Sequence, residues 1–427
     1  MRVLLRFEVS NHRSIMERVE LSMIAVDADR PAVRSFDLLS ESVLTVAGIY
    51  GPNASGKSNV LDALTWLSSA VGSSLRAWED LIPRDPFKFG IGPEAPSTYE
   101  VDMIVGGVRY TYRLEVDDRE VVFESLHSYP ERRARTLFER EGEAIGFRRG
   151  ISGSGIQELL TPTTLALSAA VKLGEAEISD FGRSLRSTGT LGMPARMRGF
   201  RFQHFLRQST TRHIFGAGRT EPRLNDPSTP TSGDREAALV LLRYADLGIA
   251  DVEVVEESVL DPVSAEVRTR REVRLLHQVA DEQLPFNMSE ESEGTQTWFR
   301  LIGPTLQALR NGQTLLFDEI DASLHPRLSA RLIELFQDPE TNPHGAQLIF
   351  TSHDTSLLNH LNRDEVWLTE KAESGSTTLT ALAEYGGDKV RRSLNLEKAY
   401  LQGRFGAVPE PDQTLLRQAL GLLRGDE

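Results

Sequence analysis

The chain carries a glycine loop, Gly51-Pro-Asn-Ala-Ser-Gly-Lys-Ser58, whose residue types suit a phosphate group. Glycines let backbone N–H groups turn inward around phosphate oxygens, with Asn53, Ala54, Ser55, Gly56 and Asn59 supplying much of the cradle. Lys57 would reach the β- and γ-phosphates, and Ser58 offers a hydroxyl to Mg²⁺. Far along the chain, Thr314-Leu-Leu-Phe-Asp318-Glu319 ends an apolar run in two carboxylates. A hard cation takes oxygen ligands, so Asp318 suits Mg²⁺, directly or through water. Glu319 suits a general base acting on the attacking water. Gln347-Leu-Ile-Phe-Thr-Ser-His353-Asp354 is a second apolar run, ending in a histidine that could contact a terminal phosphate and sense its loss. Ser292 and Gly294 precede the helical run Trp298–Arg310 and would aim N–H groups at an anion. Taken by itself, that last pattern is an ordinary helix cap.

Such chemistry needs each group at the end of a rigid element. Val43–Tyr50 is apolar and predicts a buried strand into the glycine loop, and apolar spacing after it predicts a helix over 58–70. Residues 1–26 predict two strands, Arg2–Val9 and Glu17–Val26, flanking Asn11-His-Arg-Ser-Ile15. A connection through Pro83, Pro86, Gly90 and Pro96 leads to an antiparallel meander over 98–129 with a Gly106-Gly107 turn. Short helical patterns broken by Gly and Pro are expected around Gln157–Leu173 and Glu236–Leu247, with a polar loop over 222–234 and strands at Ala250–Val259 and Ser264–Gln278. A short amphipathic helix is expected over 411–427. Sustained heptads are missing, so long coiled-coil arms are not expected. Together these elements predict an α/β fold with a mixed sheet, an antiparallel β subdomain and an inserted helical region. Its expected divisions are an N-terminal lobe over 1–149, a helical and partly basic insertion over 150–250, and a C-terminal lobe over 251–427.

The 427 residues allow two or three domains and a large core. With no Cys there are neither disulfides nor thiolate metal sites, which suits a reducing compartment. No apolar run reaches the length of a membrane span, and Met-Arg-Val-Leu-Leu-Arg is too short and too charged for a signal peptide. A soluble cytoplasmic protein is expected. The net charge of −14 disfavours nucleic acid overall, yet no acid occurs between Asp180 and Glu221. That window holds eight arginines, from Arg183 to Arg219, with Phe200, Phe202 and Phe205 among them. It reads either as a patch for nucleic acid or an acidic partner, or as a solvated face whose arginines pair elsewhere.

As a set, the glycine loop, Ser292-Glu-Gly-Thr-Gln296, Leu315-Leu-Phe-Asp-Glu-Ile-Asp-Ala-Ser-Leu-His-Pro326 and Thr351-Ser-His-Asp354 resemble the ABC-type ATPase heads of the SMC, RecF and overcoming-lysogenization-defect classes. With Asn11–Ile15, Asp364–Glu370 and Tyr400–Pro409, the chain is similar more narrowly to ABC-like ATPases of abortive-infection loci, the RloA/AbiL-like group. The resemblance implies an ABC-ATPase-like P-loop fold, ATP and Mg²⁺ as ligands, and ATP hydrolysis using Lys57, Glu319 and His353. It implies a head-to-tail homodimer in which Ser292 and Gly294 reach the partner's γ-phosphate. It places Asp321 in the loop coupling the two sites and Arg13 and Ser14 near the nucleotide. Here the signature reads Glu-Ser-Glu-Gly-Thr-Gln, so the acids at 290, 291 and 293 must point away from any phosphate. Residues 82–89 are a candidate glutamine-type lid loop.

Three functions fit these expectations. One is an anti-phage ATPase controlling a separate effector chain. The second is a RecF- or SMC-like repair ATPase clamping DNA directly. The third is a nucleotide-dependent scaffold with negligible turnover.

Overall fold

The computed structural model describes residues 2–36, 40–131, 133–193, 210, 214–215, 232–245, 248–260, 267–322, 324–385 and 395–405. In chain order, β1 (Arg2–Ser10), β2 (Val19–Ser22), β3 (Val33–Ser35), β4 (Ser42–Leu44) and β5 (Val46–Tyr50) lead to α1 (Lys57–Ala77). A meander follows, β6 (Ser97–Val105), β7 (Val108–Val116), β8 (Val121–Tyr129), β9 (Arg135–Glu141) and β10 (Ala144–Phe147). Then come α2 (Ser154–Glu158), α3 (Ala166–Leu173), α4 (Ala176–Arg186), β11 (Gly189–Leu191) and α5 (Ser232–Ala245). The antiparallel strands β12 (Ile249–Leu260), β13 (Val267–Val279) and β14 (Glu282–Asn287) precede α6 (Glu293–Asn311). The chain continues through β15 (Thr314–Phe317), α7 (Pro326–Gln337), β16 (Gln347–Thr351), β17 (Val366–Lys371), β18 (Thr377–Ala381) and α8 (Leu396–Leu401).

The central sheet runs β11-β15-β16-β5-β17-β18, parallel throughout except for β18. Its inner strands are buried on both faces, which explains why they read as continuous apolar runs. Side chains alternate between two cores. Ala47, Ile49, Leu316 and Ile349 face a core shared with α1, α3, α4 and the antiparallel sheet β10-β9-β8-β7-β6-β1-β2. Val46, Tyr50, Leu315, Phe317, Leu348 and Phe350 face a second core with α5, α6, α7 and α8. The parallel strands therefore deliver their C-terminal ends to one edge, where the glycine loop, the acidic pair and the histidine follow. This is an α/β fold with a mixed sheet and an antiparallel β subdomain.

Several expected elements differ in detail. The Val43–Tyr50 strand is interrupted at Thr45, whose side chain donates to Ala32 O (2.9 Å), so that β4 pairs with β3 and β5 with the central sheet. The helical stretch around Gln157–Leu173 is divided between α2 and α3 at Pro162, which has no N–H to donate, and there the buried Arg140 guanidinium donates to the carbonyls of Thr164 (2.5 Å) and Thr161 (2.9 Å). The stretch from Ser154 to Arg186 packs in the first core, on α1. Most of 194–231, and the helix expected over 411–427, lie outside the described residues.

At the start of β17 a buried ion cluster ties the N-terminal segment to the central sheet. Arg30 bridges Asp364 (2.6 Å) and Glu365 (2.9 Å), while Asp364 also accepts from the N–H groups of Val26 and Asp27. Burial pushes the Glu365 carboxyl up to about 7, opposed by Arg30 and the Asn362 N–H. A pKa raised on folding contributes stability that is fully present below the unfolded value and lost as pH rises through about 7. Glu365→Gln should therefore remove a pH-dependent term of at most about 3 kcal/mol. Its melting temperature relative to wild type should be higher at pH 8 than at pH 5. An equal offset at both values would refute this reading of the cluster.

Candidate functional site

The loop from Gly51 to Ser58 joins β5 to α1, with positive φ at Gly51, Ala54 and Gly56. At Gly56 a Cβ would collide with the Thr377 hydroxyl, so only glycine lets the loop lie against β18. A hydrogen-bonded relay fixes that contact. Asn59 Nδ2 donates to Ser14 Oγ (2.5 Å), which faces Thr377 Oγ1 (2.7 Å), which donates to Ser55 O (2.7 Å). An amide donor at one end and a carbonyl acceptor at the other leave one orientation for the hydroxyls between them, Ser14 to Thr377. Ser55 Oγ pairs with Thr369 Oγ1 (2.6 Å), which reaches Tyr50 O (3.2 Å). Ser14 and Asn59 thus brace the loop from behind.

Arg13 is held at the flank of α1. It pairs with Asp62 (2.8 Å) and Asp85 (3.5 Å), and its N–H donates to Asp85 O (2.6 Å). His12 shares Asp62 (2.8 Å).

The first turn of α1 has no side-chain cap and no acid, which suits an anion at that helix end. Lys57 Nζ crosses the loop to Gly51 O (2.9 Å) and Pro52 O (3.2 Å) and lies 3.5 Å from His353 Nδ1. Burial lowers its pKa, opposed by the charges of Glu319, Asp318 and Asp321. Those carboxylates lie close enough to balance a cation that burial alone would discourage. These donors fit a phosphate chain.

Asp318 is buried at the end of β15, where Thr351 Oγ1 donates to its Oδ1 (2.7 Å). The same hydroxyl accepts the Glu319 N–H (2.8 Å). Glu319 has φ 56°, an uncommon conformation for a residue with a side chain, and its carboxylate is exposed. The turn thus leaves one acid buried and fixed and the next exposed to water. Asp321 accepts from Ser352 Oγ (2.7 Å) and from the His353 N–H (3.2 Å), joining the loops after β15 and β16. Among the described residues no group of three or more His, Asp or Glu is placed to hold a metal alone, so Mg²⁺ at Ser58 and Asp318 would also need phosphate oxygens.

Ser292 caps α6, accepting the Thr295 N–H (3.1 Å), with Gly294 in the first turn; its described bonds do not join the glycine-loop cluster. The neighbouring acids are drawn aside. Glu291 pairs with His277 (2.8 Å), and Glu290 accepts the Asn287 N–H (2.7 Å). Glu293 is exposed in the first turn, where a negative charge suits the helix dipole.

The 82–89 segment lies beside Arg13, pinned by Asn11, whose Oδ1 accepts the Phe87 N–H (2.9 Å). The strand flanking the acidic pair is instead β11, whose Leu191 O accepts the Asp318 N–H (2.9 Å). Sequence reasoning missed β11, Thr351, Thr369 and Thr377. For Thr351 a signal existed, since a hydroxyl ending an apolar strand must find a partner once buried. In the arginine window, Arg183 pairs with Asp180 (2.8 Å), while 194–209, 211–213 and 216–219 lie outside the described residues.

A family model described as "AAA domain, putative AbiEii toxin, Type IV TA system" matches residues 46–359, spanning the glycine loop, α6, the acidic pair and His353. No curated protein matches the sequence significantly. A solved structure described as "Crystal structure of the SmcHead bound to the C-winged helix domain of ScpA" aligns over 89% of this chain and 97% of that chain, at 13% identity and a TM-score of 0.42. Among the described residues no helix is long and apolar enough to cross a membrane.

Proposed function

This chain belongs to the AAA-domain, AbiEii-type family of P-loop ATPases, and on that premise we propose that it hydrolyses ATP with Mg²⁺ to control a separate effector. The observation that carries the proposal is the convergence of Lys57, Asp318, Glu319, Asp321 and His353 at one end of the central sheet. Lys57 neutralises the β- and γ-phosphates, and the loop N–H groups orient them. Ser58 and Asp318 would hold Mg²⁺, which would balance charge on the transferred phosphoryl oxygens. Glu319 orients water and accepts its proton. His353 stands beside the terminal phosphate, with its backbone fixed by Asp321.

ATP further joins two copies head to tail, each Ser292 and Gly294 completing the partner's site from the N-terminus of α6. The withdrawal of Glu290 and Glu291 supports this use of that helix end. ATP should shift Glu319→Gln protein from monomer to dimer mass in light scattering. Adding Ser292→Arg should hold it at monomer mass. An ATP-induced dimer that ignores Ser292→Arg would refute the composite site.

The RloA/AbiL-like resemblance supports an anti-phage role, with the effector on another chain. The acid-free arginine window supports the alternative of direct DNA clamping. Changing Arg196, Arg198, Arg201 and Arg207 to Glu should leave basal ATPase activity within a few-fold, about 1 kcal/mol. It should also abolish partner or DNA capture and phage protection. Full protection by that variant would remove the window from the function.

A further inference from the structure

Helix α6 has Ser292 and Gly294 at its N-terminus and Pro304 in its interior. Proline has no N–H, so Arg300 O lacks the donor that a helix would supply from position 304. The ring also crowds that carbonyl, and helices kink at such places. Ser292 lies eleven residues before Gly303, roughly 16 Å along the axis, so a bend of about 10° at the break would carry it roughly 3 Å. A hydrogen bond to phosphate does not survive a shift of that size. The angle at Pro304 therefore decides what the N-terminus of α6 can reach.

Thr210 fills the gap that Pro304 leaves. It is buried, and a Cβ on Gly303 would come within 2.6 Å of Thr210 Cα, so only glycine lets the two backbones meet. The Gly303 N–H donates to Thr210 Oγ1 (2.9 Å). Having accepted there, the hydroxyl is left to donate its own proton to a carbonyl, with Phe299 O and Arg300 O (3.1 Å) both in reach. One threonine thus stands in for the missing rung of the helix. Phe215 seats the same segment on the same turn of α6. Its ring stacks on Phe299 (5.9 Å between centroids, 17° between planes), and the Arg235 guanidinium lies over it (5.2 Å). Thr210 and Phe215 both belong to the acid-free arginine window, which is thereby joined to the helix that carries Ser292.

We propose that Thr210 is a positioning residue for Ser292 and Gly294: its hydroxyl completes the α6 ladder at Pro304, fixes the bend there, and so sets how well a second copy is joined across ATP. This rests on the head-to-tail reading and adds a control to it, since the segment bearing Thr210 governs how that helix end is presented.

The test measures the ATP-induced dimer of Glu319→Gln protein by light scattering over a range of concentrations, beside ATP affinity and melting temperature. Thr210→Val keeps the shape of the side chain and removes the hydroxyl. It should weaken the dimer about tenfold, while ATP affinity at low protein concentration stays within about twofold. Thr210→Ser keeps the hydroxyl and should dimerise like the parent. Pro304→Ala restores an N–H at position 304, so α6 can close its own ladder. Added to Thr210→Val, it should bring the dimer back to within about threefold of the parent. Parent-like dimerisation by Thr210→Val would overturn the proposal. So would a loss that Pro304→Ala leaves uncorrected, whether in dimerisation or in melting temperature, and so would an equal fall in ATP affinity. A Glu319→Gln parent that binds ATP and stays monomeric would overturn the head-to-tail reading itself, and this inference with it.

Discussion

Lys57→Ala protein should bind ATP roughly 100- to 1,000-fold more weakly than wild type, a loss of about 3–4 kcal/mol. The ammonium is buried and already faces three carboxylates, so its positive charge is the element that makes the site hospitable to a phosphate chain. Without it, the same carboxylates would repel the ligand. Isothermal titration with ATP and Mg²⁺ measures the loss, and melting temperature checks the loop, because Lys57 also bonds Gly51 O and Pro52 O. Unchanged affinity would refute the site.

Glu319→Gln should leave ATP affinity nearly intact and lower kcat by roughly 100- to 10,000-fold, the usual worth of a general base. The amide keeps the size of the side chain and the left-handed backbone held by Thr351, but it cannot accept the water's proton. The two variants therefore separate ground-state binding from transition-state action. Single-turnover phosphate release makes the distinction. Wild-type turnover in Glu319→Gln would move the base elsewhere.

The glycine loop, the Asp318-Glu319 pair and His353 were legible because each is a contiguous motif closing an apolar run. Two-sided burial of parallel strands writes such runs directly into sequence. The meander over 98–129 was legible for its alternation and its Gly106-Gly107 turn. What sequence could not display was the bracing. Thr377 and Thr369 matter through Ser55, 322 and 314 positions away, and no local pattern encodes a partner at that distance. The strand β14 was missed because it contains Pro285 and its apolar alternation is limited to Leu284 and Phe286, too short to read as a strand.

The relay from Asn59 through Ser14 and Thr377 to Ser55 sets a schedule for biosynthesis. The glycine loop leaves the ribosome early, but its brace is made by β18, 322 residues later. At synthesis rates of about 5–20 residues per second, that gap is roughly 15–65 s. Over this interval the nascent chain carries the residues of a nucleotide site without the wall that shapes it. Competence to bind ATP then arrives late and abruptly, when a strand pairing of high contact order closes. A ribosome-stalled chain ending before Thr377 should be nucleotide-blind, so a half-made copy could neither capture ATP nor engage a finished one.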